Sequence, residues 1–246
     1  MKNILIDTVG FCGTHTLSNS LKGIGDIEVV HGTQNLDTEE HIGKNNLTPY
    51  IFMEKMHKKS EKLKKNIIAI HCNFDIKEAL NACSKFEVDY ICLVRNLHNQ
   101  IMSCYSWAYL KLINGNDTIL NEALNVFKAN ELLPTIKVEL SLPNIVYMWA
   151  CYHVMCFNLN ALNLECKILK MEELFTSQEL FKETFGIKEF NLNNLDSSKK
   201  HNISHKENLR KYRFKEPKSE KIYNSIYISG PGYSISLPEL NEKLGY

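Results

Sequence analysis

The sequence predicts an α/β fold: a single domain over residues 1–246, with a central parallel sheet flanked by helices. Two observations carry this expectation. Short, continuously apolar, β-branched runs alternate with longer stretches of helical spacing, the pattern of strands buried on both faces and joined by helices. The chain has 246 residues, 44% apolar and 23% charged, which is enough to bury one large core and ordinary for a globular protein.

The elements follow in order. Strands are expected at NILIDTV (3–9), IEVVH (27–31), NIIAIH (66–71), DYICLVR (89–95) and CKILKM (166–171). Helical periodicity covers about 15–24, 50–63, 76–85, 97–112, 118–131, 143–163 and 176–185. Thr176 with Glu179 reads as a capping box for the last helix, and Gly186 as its stop. Between 196 and 221 the chain turns polar and basic, with nine Lys or Arg residues from Lys199 to Lys221. That stretch is either a loop that folds over a ligand or a solvated tail.

Composition narrows the function classes. A net charge of +1 gives no overall field for nucleic acid or an anionic membrane, so any positive patch is local. The eight cysteines show no CxxC pair, and MKNILIDTVG lacks the layout of a secretory signal. Free thiols in a reducing, cytoplasmic setting are therefore expected. The longest apolar run, IVYMWACYHVMCF, is too short to span a bilayer and contains His153, so no membrane span is expected.

Ligands of parallel sheets bind beyond the carboxyl ends of the strands. Four places qualify: residues 9–16, His31, His71 and Arg95. In GFCGTHT, Gly13 permits a tight turn, and Thr14 and Thr16 offer hydroxyls where helix N–H groups would face an anion. The alternative is a plain strand–helix turn capped by Thr14. A Walker A loop is excluded, since Gly10 and Gly13 enclose two residues rather than four and no Lys-Ser/Thr follows. Arg95 ends a strand, and Ser103 lies eight residues on. A forked guanidinium with a hydroxyl suits a terminal phosphate, although an arginine there can equally pair with a carboxylate. His201 and His205 have i, i+4 spacing but no third ligand, so no metal is expected. Cys12 beside His15 raises a nucleophilic thiol as a minor alternative. The segment ISGPGYS reads as a turn.

Taken together these motifs resemble the sulfotransferases that use 3′-phosphoadenosine 5′-phosphosulfate. The family's first-strand loop, S-G-T-[TS], is matched by Cys12, Gly13, Thr14 and His15; its strand-end Arg with Ser eight residues later is matched in LVRNLHNQIMS. NIIAIH places His71 at the family's strand-end histidine. CKILKMEELFTSQELFKETFGI resembles its strand, E-[DE]-L segment and following helix, and HNISHKENLRKYRF its basic loop before a terminal helix. The resemblance implies a P-loop-like architecture and a metal-free, in-line transfer of a sulfuryl group to a hydroxyl or amine, leaving 3′-phosphoadenosine 5′-phosphate. It implies that Cys12, Gly13, Thr14, His15 and Thr16 hold the 5′-phosphosulfate. Arg95 and Ser103 would hold the 3′-phosphate, Arg210 and Lys211 would close over the nucleotide, and His71 would be the general base, with Asp75 and Asp7 as weaker alternatives. His31 either lines the acceptor pocket or packs structurally. The acceptor would be a small molecule, a carbohydrate or a lipid headgroup.

One departure stands out. The family's Lys or Arg just before S-G-T is replaced here by Phe11 and Cys12, leaving His15, Lys44 or Lys55 as substitutes. A nucleotide-binding protein of the same fold without transfer activity, or a P-loop-like kinase, are the competing readings.

Overall fold

The computed structural model of the chain describes residues 2–32, 47–129, 138–191, 217–230 and 233–246. These fall into two compact units, Met1–Arg95 with Asn160–Lys199, and Asn96–Leu159 with Lys200–Tyr246.

The first unit holds the parallel sheet. Its strands are β1 (Asn3–Asp7), β2 (Ile27–His31), β3 (Asn66–Ile70), β4 (Val88–Val94) and β5 (Lys167–Lys170), in the order β2-β3-β1-β4-β5. Every pairing is parallel, with Ile6 opposite both Ile70 and Ile91. All five predicted strands are present. Pleating sends alternate residues to opposite faces, and helices of the same unit cover each. On one face Ile4, Ile6, Ile68, Ile70, Ile91 and Leu93 join a core cluster with Leu17 and Leu21 of α1 (Thr14–Leu21), Leu174 of α7 (Met171–Leu174), and Phe181 and Phe185 of α8 (Gln178–Phe185). The other face carries α2 (Pro49–Leu63) and α3 (Ile76–Lys85), whose Met53 and Cys83 sulfurs meet at 3.9 Å.

The second unit is mainly helical: α4 (Leu97–Ile113), α5 (Thr118–Ala129), α6 (Leu142–Asn163, returning to the first unit at Asn160), α9 (Ser219–Tyr223) and α10 (Leu237–Lys243). An antiparallel pair, β6 (Tyr227–Gly230) and β7 (Tyr233–Ser236), takes up five of the seven residues of ISGPGYS, which the sequence reads as a turn; Pro231 and Gly232 lie outside the described residues. By length and composition α6 could cross a membrane, but 61% of its apolar window is buried inside the protein.

Helix boundaries correct the sequence reading in two places. The first helix stops at Leu21 rather than near residue 24, because Lys22 is extended and Gly23 takes a φ of 85°. The cap of α8 is Ser177, whose hydroxyl accepts from Leu180 N, and not Thr176. Thr176 is drawn back to the preceding helix, its Oγ1 donating to the Glu172 carbonyl at 2.7 Å. Gly186 does end α8, at φ 66°. A reciprocal capping box stands instead at α10, between Ser236 and Glu239.

Candidate functional site

In the sheet order, β1 sits centrally: the chain leaves it toward β2 on one side and later passes it to reach β4 and β5 on the other. This is where the connection direction reverses, the position at which open α/β sheets bind ligands. The loop after β1, the turn after β3, His31 at the end of β2 and Arg95 beyond β4 thus share the carboxyl edge of one sheet.

The loop is held in an unusual backbone shape. Gly10, Phe11 and Gly13 have φ of 98°, 63° and 69°, a left-handed run that disfavours any residue with a Cβ. Phe11 is kept there by Arg95, whose Nη1 donates to its carbonyl at 3.1 Å. Gly13 is the N-cap of α1, and no side chain caps this helix start. Thr14 is therefore not a cap: it is the first helical residue, and it is buried. A left-handed residue running into a helix turns successive N–H groups toward one point, which suits an anion.

Gly13 is required for packing as well. A Cβ there would lie 2.9 Å from Phe175 Cε2 and 3.2 Å from Met171 Sδ, so α7 and the residue after it sit against the loop. Gly13→Ala is expected to destabilise the protein by about 2 kcal/mol or more, since the left-handed conformation alone costs about 1–2 kcal/mol. Urea unfolding measures it, and an unchanged midpoint would mean that Phe175 gives way freely.

Cys12 points inward. Its thiol is fully buried in the core cluster, and burial pushes it up to about 12 despite a hydrogen bond to Thr8. It is no nucleophile near neutral pH, and only its backbone can serve a ligand. Thr16 is partly buried, with its carbonyl taken by Ser20 Oγ.

His71 follows β3 in the left-handed region, at φ 59°, and Asn73 repeats that conformation. Asp7 holds the turn. This fully buried carboxylate accepts from Thr8 N and Asn73 N on Oδ1 and from Phe74 N on Oδ2. Burial raises its pKa, opposed by these N–H groups and by His71. Asp7 is thus a structural staple rather than an available base. Asp75 is also engaged, accepting from Glu78 N as the cap of α3.

The His71 backbone N–H donates to the Ile6 carbonyl, and its ring Nδ1 lies 3.1 Å from the Thr8 carbonyl. A carbonyl only accepts, so Nδ1 carries a proton, and in the neutral ring the lone pair lies on Nε2. The ring lies beside Gly10, where an added Cβ would come 3.4 Å from Cε1.

Two further histidines continue from His71. The His31 ring centroid is 6.0 Å from that of His71, and the exposed His15 stacks on His31 at 4.3 Å with 26° between planes. Burial first, then His15, His71 and Lys22, depress His31 to about 4. The folded chain therefore resists the proton that the unfolded chain accepts, so stability is lost as pH falls from about 6.5 toward 4. We expect about 1–2 kcal/mol from this half-exposed ring after solvent screening. Urea unfolding at pH 7 and pH 4.5 measures it, and His31→Asn should flatten that part of the profile.

Arg95 also faces Glu172 of α7, Nε to Oε1 3.9 Å, so the carboxylate pairing that the sequence allowed is present. Ser103 belongs to the second unit, in the second turn of α4, and is partly exposed. Lys55 is on α2 and partly exposed. Arg210, Lys211, Lys44, His201 and His205 lie outside the described residues. Among the described residues no three His, Cys, Asp or Glu side chains are grouped to hold a metal.

The sequence reading missed Glu172, Met171 and Phe175 as neighbours of the loop. The E-E-L segment was visible as a motif, but nothing in it foretold that its flanks Met171 and Phe175 sit against Gly13 or that Glu172 faces Arg95.

No family model matches the chain, and no curated protein does. Among solved structures, the chain is similar to mouse sulfotransferase SULT7A1 complexed with PAP, at 16% identity and a TM-score of 0.41. The match covers 83% of this chain and 65% of that one.

Proposed function

We propose that this chain is a sulfotransferase of P-loop-like architecture. It would move a sulfuryl group from 3′-phosphoadenosine 5′-phosphosulfate to a hydroxyl or amine of a small molecule, carbohydrate or lipid headgroup. The observation that carries this reading is the fixed tautomer of His71. With Nδ1 tied to the Thr8 carbonyl, the basic Nε2 belongs to a ring set against Gly10 of the anion-type loop. A proton acceptor and an anion cradle on one strand edge are what in-line sulfuryl transfer needs.

In this reading the 10–16 loop and the start of α1 orient the phosphosulfate. His71 Nε2 takes the acceptor proton as the acceptor O–S or N–S bond forms. The bond from sulfur to the bridging oxygen breaks, and that oxygen leaves on 3′-phosphoadenosine 5′-phosphate. Arg95 and Ser103 read the 3′-phosphate, on the strength of their sequence spacing, and Arg210 and Lys211 close over the nucleotide. The eight free thiols accord with a reducing, cytoplasmic setting.

A second reading is a nucleotide-binding protein without transfer. It is favoured by the loop itself, where Phe11 and the buried Cys12 stand in place of a cation. Isothermal titration with 3′-phosphoadenosine 5′-phosphate, followed by transfer of ³⁵S label from the donor to a panel of hydroxyl and amine compounds, separates the two. Binding with transfer supports the enzyme, binding alone the second reading, and neither sinks both.

A further inference from the structure

The row of imidazoles along the carboxyl edge has no counterpart in the motifs considered so far. Three elements converge to build it: His15 from the first turn of α1, His31 from the end of β2, and His71 from the turn after β3. Stacking at 4.3 Å and a tilted contact at 6.0 Å are too close for three independent cations. Lys22, at the end of α1, adds positive charge from one side. On the other side the buried Asp7 carboxyl lies within electrostatic reach of His71. Arg95 and Glu172 stand beyond the loop, next to Cys12. A proton on His31 is therefore opposed by burial and by its neighbours.

We propose that the stacked pair His15–His31 takes up a proton when the 10–14 loop receives the anionic end of a nucleotide phosphate or phosphosulfate. The histidinium so formed supplies the positive charge that Phe11 and Cys12 cannot. This rests on the reading of the loop as a nucleotide site, and it deepens that reading by making affinity proton-linked. His15 stands in the first turn of α1, directly after the helix start that faces the anion, and it is exposed to solvent protons. His31 lies against both neighbours, and one ring of the stacked pair carries the proton while the other presents its face to it. His71 is tied at Nδ1 to the Thr8 carbonyl and is not part of the uptake. The proton comes from solvent, and no covalent bond changes.

The linkage is measurable. Titration with 3′-phosphoadenosine 5′-phosphate at pH 7 in buffers of different ionisation enthalpy gives the protons taken up per ligand. The wild type should take up about 0.5–1 proton more than a His15→Gln/His31→Gln double variant, the titration of the ligand's own phosphates being common to both. Its affinity should fall relative to the variant by up to about tenfold per pH unit between pH 7 and 8.5. Histidine NMR signals of the wild type, followed through pH with and without ligand, give the same answer without relying on the variant. The His15 or His31 midpoint should rise on binding. Equal proton uptake in both proteins, or histidine midpoints unmoved by bound ligand, overturns the linkage and leaves the nucleotide reading standing. Absence of binding to the wild type at any pH overturns the nucleotide reading, and the linkage with it.

Discussion

Replacing His71 by alanine is expected to lower turnover by about 10²–10⁴ while leaving the affinity for 3′-phosphoadenosine 5′-phosphate within a few fold. The split follows from where its work is done. In the proposed reaction the Nε2 lone pair meets only the proton leaving the acceptor, so its contribution would belong to the transition state and not to nucleotide binding. The ring's other nitrogen is already satisfied by the Thr8 carbonyl at 3.1 Å. Loss of that contact could loosen the loop, and nucleotide affinity reports this side effect separately. His71→Asn offers a control, because its amide N–H matches the position of Nδ1 and can still donate to the Thr8 carbonyl without providing a base. Both variants should lose the limb of the pH profile in which rate rises as the base deprotonates. A His71→Ala protein that transfers label as fast as wild type would remove His71 from the chemistry. Neither Asp7 nor Asp75 would be its natural replacement, since both carboxylates are engaged with backbone N–H groups.

The elements that came through most clearly in the sequence were the five strands. Buried on both faces, they read as unbroken apolar runs, and their order along the chain already placed residues 9–16, His31, His71 and Arg95 at strand ends. What stayed hidden depended on tertiary contact. Asp7 looked like a spare carboxylate at the end of NILID. Only folding brings Asn73 and Phe74 N–H groups to it across the β1–β3 pair, and only then does it become the residue that holds the His71 turn. Met171 and Phe175 are ordinary apolar residues by pattern; their position against Gly13 explains why a Cβ is not accommodated there. The histidine row was invisible for a related reason. Its members are separated by 16 and 40 positions, and they meet only because β2 and β3 are neighbours while α1 packs against β2. Local capping was also misread by one residue at Ser177, because Thr176 could bond forward or backward and the preceding α7 claimed it.

The wild-type protein should bind 3′-phosphoadenosine 5′-phosphate about thirty- to a thousandfold more tightly than adenosine 5′-phosphate. Losing the charge-assisted hydrogen bonds to one phosphate costs about 2–4 kcal/mol. Arg95→Ala should erase most of that preference, and Ser103→Ala a smaller part, since a neutral hydroxyl contributes less than a guanidinium. The structure complicates the first variant in a useful way. Arg95 also donates to the Phe11 carbonyl at 3.1 Å and faces Glu172, so its removal frees a strained loop residue as well as any phosphate contact. The two effects separate in the monophosphate titration. If Arg95 reads the 3′-phosphate, Arg95→Ala weakens the bisphosphate far more than the monophosphate, and the two affinities converge. If its main work is to hold Phe11 in the left-handed region, both nucleotides weaken together and their ratio survives. Glu172→Gln sharpens the distinction, because it removes a negative charge beside the guanidinium while leaving the bond to Phe11 in place. Under the phosphate reading it should strengthen the bisphosphate selectively, by no more than a few fold for so exposed and distant a pair. Equal affinity of the wild type for the two nucleotides would end the assignment of Arg95 and Ser103 to a 3′-phosphate.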